Sequence, residues 1–496
     1  MMKRLIFPIG IALLLSSCAA PAVSEEMEAK FNTKSGFTAQ GNKGELLYDI
    51  NLEGTGSGRL RLALDIDAPE GVAGSVSVVL GDKVIASKDV RGKGGRIVLK
   101  SREAVEAPCS FKVLADICCE APEGAVLKAE VAQVRVGGDR IGTGDSMAVS
   151  KEVLLTRQCL FRPGDYGSSN YRIPAVISLP DGSVLAVNDR RKYNETDLPE
   201  DIDIVFKRSE DLGKTWSEPG YIIRGEGYGK GYGDAALVVA GDGAVLCAFS
   251  GGAGVWASTT QNPQRNYICR STDGGRTWDE PRDVTALIWD VDGRSKVPGK
   301  YHSAFFSSGN GLVLRNGPHA GRIIYTLSLA KAGYRLDNFA FYSDDNGHSW
   351  TMSELAYSDG DESKVVALSD GPVLMSVRQN GQRGWSRSGD GGRTWTESGK
   401  WPDMKTNACN GDLIRLDDGT LLHSLTNSMQ REKVSLFVSK DEGRSWKPAK
   451  CICPYESVYS SLTVLKDGTI GAYIEENPDG ACSLWFMRFS KNQIIK

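Results

Sequence analysis

SEDLGKTW (209–216), STDGGRTW (271–278), SDDNGHSW (343–350), SGDGGRTW (388–395) and SKDEGRSW (439–446) are five copies of one pattern, S-x-D-x-G-x-[T/S]-W. Their first residues stand 62, 72, 45 and 51 apart (271−209, 343−271, 388−343, 439−388). A unit recurring at such a period buries its apolar face only against its neighbours, as in a propeller or a solenoid. The residue types describe a hairpin turn: Asp accepts hydrogen bonds within its own turn, Gly takes φ > 0, and Trp packs between adjacent sheets. The stretch from Lys151 to Lys496, about 345 residues, holds six blades of four strands. The predicted fold is all-β: a six-bladed β-propeller over 151–496, preceded by a smaller unit.

That smaller unit, 25–150, reads as strands separated by Gly and Asp clusters. In RLRLALDID (59–67), Leu60, Leu62, Leu64 and Ile66 fall on every second position and share one strand face. Segments 75–80 and 126–131 are similar but less regular. A small β-sandwich is expected, serving as a carbohydrate-binding module or as a spacer. Residues 1–24 read as a targeting segment and tether. Lys3 and Arg4 precede an apolar run, 5–15, too short to span a bilayer. LSSC (15–18) follows at once and resembles the bacterial lipobox, with an ordinary signal peptide as the alternative. The resemblance implies lipidation at Cys18 and an exported bacterial lipoprotein, held in the periplasm or at the outer membrane or cell surface.

Composition agrees with an all-β chain. Fifty-seven Gly occur, many in D-G, G-G and N-G pairs, and 41% of residues are apolar, enough for real cores. The net charge of −3 is mixed along the chain, so no basic stripe suits nucleic acid. With four His and no zinc-type Cys spacing, no metal is expected, nor any other cofactor. Ten Cys follow Cys18, and their pairing is not legible in the spacing.

The five repeats resemble the Asp boxes of sialidases and a few other propeller families. Further strings extend the likeness over the C-terminal part to the bacterial sialidases. YRIP (171–174) resembles the segment that opens their propeller, which makes Arg172 the first of three arginines on the substrate carboxylate. NDRRKYNETDLP (188–199) resembles the loop of the general acid/base, here Asp197. Arg191 is then a substrate-site arginine, with Arg190 as the alternative. GDA (233–235) supplies Asp234 facing the substrate. ESKVVALSDGPVLMSVR (362–378) supplies Glu362, the base that activates the nucleophile, and Arg378, the second arginine. Arg431, before the strand 434–438, is the candidate third. YSSLT (459–463) supplies the nucleophile Tyr459, and Glu475 orients the first arginine, with Glu476 an equal candidate. PGKYHS (298–303) departs from the family pattern, and Tyr301 is left unassigned.

The chemistry suits these residue types. Planar guanidinium groups bind a carboxylate with paired hydrogen bonds. A sialoside carries an anion beside its reacting carbon, which disfavours an anionic nucleophile, and a neutral phenol avoids that repulsion until a base takes its proton. Singly, each residue has an ordinary explanation: a surface Arg, a solvated turn acid, a strand Tyr. Their joint occurrence in one order, in register with the repeats, points to hydrolysis of terminal α-linked sialic acid from sialylated glycans. The rivals are a trans-sialidase, an intramolecular trans-sialidase, or a sialic-acid-binding propeller without catalysis. A purely binding protein has no need of Asp197, Glu362 and Tyr459 together.

Overall fold

A computed structural model of the protein describes residues 26–491 and 494, apart from 34, 41, 93, 119–120, 123, 144–147, 155–156, 292–298, 370, 478–479 and 490. Segment 1–24, with the lipidation expected at Cys18, lies outside the described residues. Two compact units divide the chain, one ending at Val153 and the other spanning Leu154–Lys496, three residues past the boundary expected from the sequence.

The first unit is built on two 23-residue strands, Glu45–Asp67 and Gly95–Ile117, paired antiparallel. Register shifts between Leu52 and Gly56 and between Arg59 and Arg61 interrupt the ladder midway. On either side of the break the partners differ. Glu28–Asn32 pairs with the first half of Glu45–Asp67 and Val126–Val136 with the second. The hydroxyl of Tyr48, in the first half, donates to the carbonyl of Ala129 at 2.6 Å, although Ala129 pairs with Ile66 in the second half. The ten strands are therefore one hydrogen-bonded sheet folded over at its bulges, and the expected sandwich is two layers of that single sheet. Leu60, Leu62, Leu64 and Ile66 are buried in its core, as their alternation requires. The described rings Tyr48 and Phe111 are buried too, and Phe31 packs edge-on to Tyr48 at 6.2 Å, so these rings form no exposed sugar-stacking platform.

The second unit is a ring of four-stranded antiparallel meanders. The first blade is Asn170–Ser178, Val184–Arg191, Ile202–Ser209 and Gly220–Ile223. The second, third and fourth blades begin at Tyr232–Val239, Tyr301–Phe306 and Ser363–Ala367. The last six strands, with Arg157–Phe161, form one seven-stranded sheet because Lys447–Val464 bends between two blades. Its first half pairs with Glu432–Ser439 and closes the fifth blade, and its second half pairs with Ile470–Glu476 and opens the sixth. Arg157–Phe161, from the start of the unit, pairs with Ser483–Phe489 and supplies the sixth blade's outer strand, which ties the ring shut. Counted this way the blades number six.

Each repeat is the turn between a blade's third and fourth strands. In STDGGRTW, Asp273 accepts from the backbone N–H of Arg276 (3.0 Å) and Thr277 (2.9 Å) and from the Thr277 hydroxyl (2.6 Å), while Gly275 N–H donates to Ser271 Oγ at 2.9 Å. The pattern also joins blades. The repeat glycines have φ between 74° and 88°, and a Cβ on four of them would overlap the preceding blade: Phe486 at Gly213, Leu185 at Gly275, Leu246 at Gly347 and Leu374 at Gly443. Trp216 packs edge-on to Phe486 at 4.9 Å. Only glycine allows this approach. The sixth blade has no such turn because its fourth strand comes from 157–161.

Candidate active site

An antiparallel meander places the start of each innermost strand and the loop between its second and third strands at one end, and the repeat turns at the other. Every catalytic and substrate-site residue expected from the sequence falls at the first end. Arg172 and Asp234 are near the starts of innermost strands, Glu362 immediately precedes one, and Tyr459 lies at the start of the inner half of Lys447–Val464. Arg191, Arg378 and Glu475 sit at ends of second strands, Arg431 just before a third strand, and Asp197 in the loop 192–201.

Local backbone geometry aims two of these residues. The first strands of blades one and two carry the same register shift, between Arg172 and Ala175 and between Gly233 and Ala236. Each shift contains a non-glycine residue at positive φ, Ile173 at 61° and Asp234 at 62°. Such conformations cost free energy and persist where surrounding bonds hold them. Fully buried Glu475 holds the first. It accepts from Ile173 N–H at 2.5 Å, Arg172 Nη2 at 3.2 Å and Tyr459 N–H at 3.4 Å, so one carboxylate orients both an arginine and the tyrosine backbone.

At the centre the Tyr459 hydroxyl donates to Glu362 Oε2 at 2.6 Å and accepts from Arg378 Nη1 at 2.7 Å. Arg378 also pairs with Glu362 Oε2 at 2.5 Å and, through Nε, with Asp361 Oδ2 at 3.2 Å. Three guanidinium groups flank the Tyr459 ring: Arg172 at 5.4 Å, Arg378 at 5.9 Å and Arg431 at 6.0 Å from its centroid. Burial pushes the Tyr459 phenol well above its ordinary range, and Glu362 adds to that while Arg378 and Arg172 oppose it. The phenol therefore holds its proton, which it donates in a hydrogen bond to Glu362.

Asp197 occupies the rim, its side chain 77% exposed, and Arg191 Nη2 reaches its Oδ1 at 2.6 Å. Loss of solvent around it would raise this carboxyl, but Arg191, Arg172 and Arg378 outweigh that and leave it below its ordinary value. Arg191 is itself buried, bonded to Asp189 Oδ2 at 3.3 Å and to the Glu195 carbonyl. It thus holds Asp197 from behind. Arg190 turns away to Asp203 at 2.8 Å, so of the two arginines it is Arg191 that meets Asp197. Glu476 likewise points elsewhere, to Arg157 and to the Tyr455 hydroxyl at 2.7 Å, which selects Glu475. Asp234 donates its backbone N–H to Asp189 Oδ1 at 3.2 Å. Burial raises Asp189 to about 7, with Arg191 opposing and Asp197 adding, and burial with the Asp189 charge raises Asp234 well above the carboxylate range.

The unassigned Tyr301 is buried, its hydroxyl bonded to Asp337 at 2.8 Å. Sequence reasoning missed Asn410 and Ser308, which reach Glu362 Oε1 at 2.9 and 3.5 Å, and Asp189, which lay inside a quoted segment but received no role. Neither Asn410 nor Ser308 has a flanking motif, and only the ring of blades brings them to Glu362. A cavity of about 740 Å³ lies elsewhere, along the axis, lined by lower parts of the inner strands such as Ile177, Val239, Val366 and Thr463. Among the described residues no cluster of three or more His, Cys, Asp or Glu could hold a metal, and the nine described Cys are free thiols.

Residues 195–472 match the family described as BNR repeat-like domain, more than half of the chain. The chain belongs to that family. This BNR repeat-like chain is 33% identical over 348 residues to a sialidase of Micromonospora viridifaciens, covering 65% of itself and 52% of the relative. To a sialidase of Bacteroides fragilis it is 26% identical over 366 residues, 67% of itself and 64% of that protein. The chain thus spans about half to two thirds of these relatives. Among solved structures, the Hadza microbial sialidase Hz136 shares the fold with a TM-score of 0.68 at 21% identity, over 94% of this chain and all of the other.

Proposed function

We propose that the protein is an exo-α-sialidase that hydrolyses terminal α-linked sialic acid with retention of configuration. The observation that carries this reading is the Tyr459 hydroxyl held at 2.6 Å from the Glu362 carboxylate, with guanidinium groups around its ring. The name sialidase borne by its relatives supports it. Arg172, Arg378 and Arg431 would grip the substrate carboxylate and hold the anomeric carbon over Tyr459. The phenol would pass its proton to Glu362 and attack, while protonated Asp197 gives its proton to the leaving oxygen. Asp197 would then take a proton from water, which displaces Tyr459 as Glu362 returns the phenol's proton, and free sialic acid is released. Two displacements on one carbon retain its configuration.

The test is release of a fluorophore from an aryl α-sialoside by protein lacking residues 1–24, beside Tyr459→Phe. The phenylalanine variant is expected to lose about 100-fold or more in kcat. Full activity in that variant would rule the nucleophile out. The protein's place at a membrane, through a lipid on Cys18, is a further part of the proposal, supported by the lipobox-like segment. Labelled fatty acid should enter the full chain and not Cys18→Ala, and equal labelling of both would refute it.

A further inference from the structure

Two residues below Glu362, on the same side of the strand Ser363–Ala367, stands Lys364. It is 2% exposed, and its ammonium has no hydrogen-bond partner among the described residues. The ammonium rests against Gly309, whose φ is 104°: a Cβ there would lie 2.5 Å from Nζ and 3.8 Å from Ser461 Oγ. Gly309 thus leaves the space that Lys364 fills.

A buried cation without hydrogen bonds is costly unless opposite charge is near. Asp412, on the fifth blade's innermost strand, is one such charge. Its oxygens already accept from Asn310 Nδ2 (3.0 Å), Ser461 Oγ (3.0 Å), Leu462 N–H (2.8 Å) and Leu413 N–H (2.9 Å). Glu362, one layer above, is the other. Burial lowers the proton affinity of Lys364, Asp412 and Glu362 restore part of it, and Asp234 from the second blade adds a smaller contribution. On the cationic side is fully buried Arg383, which donates Nε to Ser376 Oγ at 2.9 Å and Nη1 to the Cys409 carbonyl at 2.8 Å. His423 pairs with Ser376 Oγ at 2.8 Å, and burial, Arg383 and Lys364 keep its imidazole neutral.

We infer that Lys364 is a positioning residue whose buried charge, added to that of Arg378 bonded to Glu362 Oε2, holds Glu362 as a carboxylate, ready to take the Tyr459 proton. The inference rests on the sialidase reading. In a low-dielectric layer, removal of a nearby cation raises the proton affinity of a carboxylate. No other group need change: one proton passes from Tyr459 Oη to Glu362 Oε2, and Lys364 keeps its own.

The experiment is the pH profile of kcat on an aryl α-sialoside. Lys364→Met is expected to move the acid limb up by about one pH unit, and Lys364→Arg to return it towards that of the unaltered protein. A merely structural role would lower the melting temperature and the height of the profile without moving the limb, and a limb unmoved in Lys364→Met overturns the inference. Should neither variant fold, the unaltered protein decides. A buried charge is poorly screened, so its acid limb should hold still between about 0.05 and about 1 M salt. A limb that shifts with salt assigns the field to exposed groups and overturns the inference. No turnover of any sialoside by the unaltered protein would instead remove the sialidase reading, and the inference with it.

Discussion

Asp197 and its arginines raise a question at the scale of single residues: the proposed general acid must hold a proton, yet Arg191, Arg172 and Arg378 pull its carboxyl below the usual range. Under the sialidase proposal the substrate would resolve this. A sialoside carboxylate bound to Arg172 and Arg378 would neutralise two of the three charges, so Asp197 would gain proton affinity on binding. The alkaline limb of kcat, set by the complex, is therefore expected above that of kcat/KM, set by the free protein. Measuring both limbs with one sialoside checks this, and coincident limbs would mean that the arginines do not govern Asp197. The same residues show what the sequence leaves open. Arg190 and Arg191, or Glu475 and Glu476, are neighbours on strands, and neighbours face opposite sides. Nothing in the local string states which side is the mouth. The structure decides through partners far away in the chain: Asp203 takes Arg190, and Arg157 takes Glu476.

At the scale of elements, the turns were legible and the ladders were not. The five repeats name their own geometry, because Asp, Gly and Trp each answer one local demand. Their spacing therefore announces blades before any strand is assigned. What the repeats do between blades was only half visible. Trp was expected between sheets, but the glycine's closeness to the preceding blade, as at Gly443 against Leu374, depends on a residue some 70 positions away (443−374). The bent strand Lys447–Val464 serves two blades, and Arg157–Phe161 completes a blade begun about 300 residues later, neither of which a local pattern encodes. The same limit explains the first unit. Alternation at 60–66 located a buried face, but not that a 23-residue strand folds over at a bulge and serves both layers. Asn410 and Ser308 were missed for this reason as well: they meet Glu362 only when the blades close into a ring.

For the whole molecule, carboxylates of two kinds set opposite slopes of stability with pH. The turn residues Asp211, Asp273, Asp345 and Asp441 are lowered to about 2, with burial opposed by hydrogen bonds from Thr or Ser hydroxyls, turn N–H groups and the repeat's first Ser, and Asp390 is lowered further. Unfolded, each titrates near about 3.9. Their contribution is thus complete above about pH 4 and is lost as pH falls towards about 2. Asp189 runs the other way. Burial raises it to about 7, so the folded chain holds its proton more tightly, and stability falls as pH rises from about 4 through about 7. The melting temperature is therefore expected to be highest between these limits, with its steepest loss on the acid side, where five turns titrate together. Asp273→Asn separates the turn contribution from general acid repulsion. It should melt below the unaltered protein at about pH 6, and the gap should close as pH falls through about 2, below which Asp273 is protonated in both states. A gap that stays constant down to that pH would mean that the turn carboxylates do not hold the blades through their charge.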